Sequence, residues 1–183
     1  MSKCCVGILL TAAVASPLPG LAAPLEAGKP GVAHSRPCSS AEYRQFDFWL
    51  GTWAVTDADT GALDSRVRIT SVQDGCGLRE QYFGAGGATG ESLSMYDRQH
   101  RAWSQTWVSS GGEIVQLAGG LVGGSMQLSG ELTGADSTLK VRGVWSATPY
   151  GVHEVGEKSV DGQTWRPWFD LQFRRGPASR KAP

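Results

Sequence analysis

The chain has 183 residues, enough for one domain with a sizeable core. Lysine plus arginine and aspartate plus glutamate balance at 17 each, and no run of like charge occurs. That balance argues against nucleic acid or an anionic membrane surface as a partner.

Residues 1–23 read as a secretory signal: Lys3 supplies the positive start, an apolar, small-residue run follows, and Ala13-Val14-Ala15 and Gly20-Leu21-Ala22 are both usable cleavage sites. The apolar run is too short for a permanent membrane span, and Pro17 and Pro19 interrupt any helix continuing from it. The mature protein is therefore expected in the periplasm or outside the cell, with no transmembrane anchor. Cys4 and Cys5 precede the apolar run and leave with it, so Cys38 and Cys76 remain. In an oxidising compartment a disulfide between them is favoured over two separate buried thiols. Two cysteines and three scattered histidines give no metal-ligand spacing.

Residues 24–37 are rich in Gly and Pro and form an expected flexible leader. The folded domain is expected over 38–175, followed by a polar tail over 176–183. It opens with a short helix, N-capped by Ser39 or Ser40, that carries Tyr43, Phe46 and Trp49. Beyond Gly51 the pattern is all β. About ten short segments (52–56, 65–72, 78–84, 91–96, 102–108, 113–118, 125–131, 139–147, 152–159 and 164–174) are separated by turn chemistry such as Asp74-Gly75, Gly123-Gly124 and Asp161-Gly162. Loops this short exclude parallel crossovers. A meander of about ten strands removes its edges by closing, which predicts an antiparallel up-and-down barrel.

Alternation by two assigns the faces. Trp103, Gln105 and Trp107 are expected inside. So are Leu139, Val141, Gly143 and Trp145, and also Trp165, Pro167, Phe169, Leu171 and Phe173. The same rule puts Leu78, Glu80 and Tyr82 inside, then Glu91, Leu93 and Met95, then Ile114, Gln116 and Ala118, then Val152, Glu154 and Gly156. Polar residues thus fall on apolar faces, either because the interior is a cavity with convergent polar groups or because a segment is out of register by one.

The stretch Phe46-Asp47-Phe48-Trp49-Leu50-Gly51-Thr52-Trp53 resembles the opening of lipocalin-like (calycin) barrels. The resemblance implies that Trp53, after Gly51, packs across the closed end, with Arg174 stacked over it as a structural plug. The chain also looks like a group of bacterial exported or envelope proteins sharing F-D-F-W-x-G-x-W, G-E-S-L-x-x-Y-D, W-x-Q-T-W-V and D-G-x-T-W, matched here at 46–53, 90–97, 103–108 and 161–165. That likeness implies the fold and no activity. The nitrobindin-like barrels, which bind haem through a histidine on a late strand, are similar too, but alternation points His153 outward, so no haem or other cofactor is expected.

No nucleophile elbow, phosphate loop or catalytic triad stands out, so no catalytic residue is assigned. Three functions remain. The first is a carrier or sensor of a small apolar or amphipathic molecule, with Tyr82, Trp107 and Trp145 as wall and Glu80, Gln105 and Glu154 holding the polar end. The second is an isomerase, cyclase or lyase using a buried Glu such as Glu80. The third is an envelope interaction protein whose barrel is filled by its own aromatics.

Overall fold

A computed structural model describes residues 37–176. The expected signal, leader and tail lie outside these residues, apart from Pro37 and Gly176 at their inner ends. Ten strands follow one another: β1 (Gly51–Asp57), β2 (Leu63–Val72), β3 (Gly77–Gly84), β4 (Thr89–Asp97), β5 (Ala102–Ser109), β6 (Ile114–Val122), β7 (Ser125–Thr133), β8 (Thr138–Thr148), β9 (Gly151–Ser159) and β10 (Arg166–Arg175). Each pairs antiparallel with the next, and β1 pairs with β10 to close the barrel. The expected architecture is therefore the observed one. The connections are short because the turn residues allow it: between β6 and β7, Gly123 and Gly124 both take positive φ (58° and 86°), as a two-residue hairpin needs.

Strand alternation makes connections leave the barrel at its two ends in turn. At the end where β1 begins, the chain arrives through two 3-10 turns, Ala41–Arg44 and Asp47–Trp49, in place of one regular helix. They carry the aromatic residues that close this end. Phe46 stacks on Trp49 with centroids 4.9 Å apart and meets Trp103 and Trp145 edge-on at 5.7 Å. The Trp53 indole donates to the Trp49 carbonyl (2.9 Å), and Trp103 donates to Gln45 Oε1 (3.1 Å). The guanidinium over Trp53 belongs to Arg175, at 4.4 Å from the ring centroid, and not to Arg174. The alternation that sends Phe173 inward also selects Arg175, which pairs opposite Trp53, whereas Arg174 faces Ala54. Gly51 makes this stack possible: at φ 150°, a Cβ there would lie 2.4 Å from the Arg175 guanidinium and 3.2 Å from the Trp53 ring. Cys38 and Cys76 form the disulfide, which joins the start of the described chain to the β2–β3 turn at this same end. Arg44 reinforces the join by donating to the Gly75 carbonyl.

Two segments sit one residue out of the expected phase. In β4 the buried residues are Ser92 and Ser94, while Leu93 and Met95 are exposed and Glu91 forms a bidentate pair with Arg79 (2.6 Å) on the outer face. In β6, Val115 and Leu117 point inward instead of Ile114, Gln116 and Ala118. A third departure is local. A bulge in β10 between Pro167 and Phe169 reverses the faces above it, so Pro167 is exposed and Trp165 stacks outside, 4.2 Å from the Arg142 guanidinium. The outer wall also carries the pairs Arg142–Glu157 and Lys140–Glu131.

Candidate ligand cavity

The aromatic plug fills only one end. Above it lies a cavity of about 440 Å³ with Trp49, Trp145 and Phe173 at its floor. Its size falls in the range of small-molecule sites. The space exists because large rings lie against the barrel wall, and glycines let them. A Cβ at Gly90 would stand 2.2 Å from the Trp107 indole, one at Gly143 2.7 Å from the Trp145 indole, and one at Gly156 2.4 Å from the Phe169 ring. Trp107 in turn meets Tyr82 edge-to-face at 5.4 Å, which fixes both rings on the wall.

All six candidate residues of the sequence reading line this one space: Glu80, Tyr82, Gln105, Trp107, Trp145 and Glu154. The register brings them there from β3, β5, β8 and β9. Glu80 accepts a hydrogen bond from Ser92 Oγ (2.8 Å), and Gln105 Nε2 donates to Ser94 Oγ (3.0 Å). Burial pushes the Glu80 carboxyl up to about 7, against the pull of Ser92. Burial also raises Glu154 well above the usual carboxylate range, and the charge of Glu80 across the lumen raises it further. The Tyr82 hydroxyl is raised by burial and then by the nearby Asp64. Among the described residues, three buried groups at this cavity, Trp49 Nε1, Trp145 Nε1 and Ser65 Oγ, make no close hydrogen bond, although Trp145 is near enough to Glu154, and Ser65 to Tyr82, to favour their charged forms.

The serines of β4, Ser65 and Asp64 on β2, and Trp168 at the β10 bulge line or support the cavity without having been foreseen. A signal for Ser92 was present. Arg79 must face outward if Glu80 faces inward, and its natural partner is Glu91, which fixes the phase of β4. His153 stands on the outer face, bonded to Asp170 Oδ1 (2.6 Å). Among the described residues no group of three or more His, Cys, Asp or Glu is placed to hold a metal ion, and no helix is long and apolar enough to cross a membrane.

The buried carboxyls make stability depend on pH in a definite direction. The folded chain holds the Glu80 proton more tightly than the unfolded chain does. Its stabilising contribution is complete below about pH 4.5 and is lost as pH rises through about 7. Glu154 is shifted the same way and carries the loss further. Carboxylates with lowered values, such as Asp57 and Glu91, have gained their stability before this window opens. Urea denaturation at about pH 5 and about pH 8 is expected to show the protein weaker by at least about 3 kcal/mol at the higher pH, with Glu80→Gln and Glu154→Gln each removing part of that difference. A flat profile would mean that Glu80 is in contact with water.

No protein-family model matches the chain, and no curated protein matches it.

Proposed function

We propose that this is an exported carrier or sensor that holds one small apolar or amphipathic molecule in the open end of a lipocalin-like barrel. The observation that carries the proposal is the cavity: about 440 Å³, walled by aromatic rings and crossed by a few buried polar groups. The same space weighs against a barrel filled by its own side chains. Export rests on residues 1–23 and on the Cys38–Cys76 disulfide, which belongs with an oxidising compartment. On this reading 24–37 and 176–183 flank a domain over 38–175.

Native mass spectrometry of the protein purified from an oxidising compartment tests the proposal. The expected result is a reproducible excess mass that disappears on denaturation, or that appears after incubation with an envelope lipid extract and is weakened by Trp107→Ala. A bare mass under every condition would remove the carrier reading.

One observation favours a second reading, an enzyme on the same barrel: a carboxyl near pH 7 is poised to take and return protons. Glu80→Gln separates the two. A carrier changes affinity alone, whereas an enzyme loses turnover on a substrate that still binds.

A further inference from the structure

The chemistry of the cavity narrows its occupant. Two carboxyls, Glu80 from β3 and Glu154 from β9, face the lumen from opposite walls, and Asp64 and Glu113 add two more acidic groups. Among the described residues no lysine or histidine lines the cavity, and Arg142, the one cation among them that reaches its wall, is bonded to Glu157 and lies over Trp165. An anionic head such as a fatty-acid carboxylate would meet four acidic groups there and one guanidinium that is already engaged.

We propose that the cavity selects a molecule with an apolar or aromatic body and a protonated amine at its buried end, held between Glu80 and Glu154. The proposal rests on the ligand-binding reading above and specifies its ligand. Several groups fit it independently. Ser65 Oγ is buried at the cavity beside the Tyr82 hydroxyl and makes no close hydrogen bond among the described residues, so its lone pairs can accept an ammonium N–H. The Trp145 indole N–H is buried beside the Glu154 carboxyl and favours its charged form, although the two do not meet at close hydrogen-bond geometry. An ionised Glu154 gives that N–H an acceptor, and a bound ammonium is what keeps Glu154 ionised. Tyr82, Trp107 and Trp145 offer ring faces, which attract cations as well as apolar groups. One ammonium and one carboxylate also leave the buried site neutral, avoiding the cost of an isolated charge.

The groups that set the pH response are Glu80 on β3, Glu154 on β9, Asp64 on β2, Tyr82 on β3 and Glu113 before β6. Amine binding draws a proton off the Glu80–Glu154 pair into solvent. Affinity for an amine therefore rises with pH from about 6 to about 8, and affinity for a carboxylate does not.

Isothermal titration with two matched series tests this: decylamine, decanol and decanoate, then naphthylethylamine, naphthylethanol and naphthylacetate. In at least one series the amine is expected to bind at least about tenfold tighter than the carboxylate and the alcohol. Glu80→Gln and Glu154→Gln are expected to remove the preference, and Glu91→Gln on the outer face to leave it intact. If either Gln variant fails to fold, the pH dependence of the unaltered protein carries the test. An alcohol or carboxylate that binds as tightly as the amine overturns the head-group assignment while leaving the carrier reading standing. Failure of all six compounds to bind overturns both.

Discussion

Trp53→Ala is expected to destabilise the barrel by about 3–5 kcal/mol, measured by urea denaturation. Trp53 is 2% exposed, so the substitution leaves a cavity that its neighbours cannot close. It also removes the donor to the Trp49 carbonyl, the edge contact to Phe173 and the face beneath Arg175. Two companions locate the cation. Arg175→Ala is expected to cost about 1 kcal/mol and Arg174→Ala close to nothing. Equal effects, or the reverse order, would mean that the stack over Trp53 is not what seals the barrel.

Removing the disulfide by Cys38→Ser with Cys76→Ser is the other large effect. The two cysteines are 38 positions apart, and opening a loop of that length costs about 4 kcal/mol in the chain-entropy account. The loss acts on a particular place. The loop contains both 3-10 turns and with them Phe46 and Trp49, so the variant loosens the plug and the floor of the cavity together. Denaturation with and without reductant is expected to show the unaltered protein weakened by reductant and the double variant indifferent to it. A double variant as stable as the parent would show that Arg44 and the aromatic stack hold this end unaided.

The barrel was legible because its signals are local: each turn names its own residues, and each strand is short enough that two-residue alternation is visible. The disulfide was legible from cysteine arithmetic. The departures in β4 and β6 share one cause. Alternation gives a phase only when one face is clearly apolar. In β4, Leu93 and Met95 face outward while serines face a polar lumen, which inverts the usual rule. In β6 both faces carry aliphatic residues, so neither phase stands out. The bulge at Trp168 inserts one residue and cannot be seen from composition. Arg175 differs for another reason: the resemblance points to Arg174, whereas the alternation through Phe173 points one residue further. Glu80, Gln105 and Glu154 were legible because a polar residue on an otherwise apolar face is anomalous in a filled core.

Gly90 and Gly156 do not line the cavity, yet they allow Trp107 and Phe169 to lie flat beside it. A methyl group at either position has nowhere to go but into the ring, and the ring has nowhere to go but into the lumen. The length of molecule that fits is therefore written at positions that carry no side chain and touch no ligand. A single Gly→Ala change in a descendant would retune the size of its cargo while leaving every contacting residue the same, so comparing binding residues alone would misjudge which variants share a ligand.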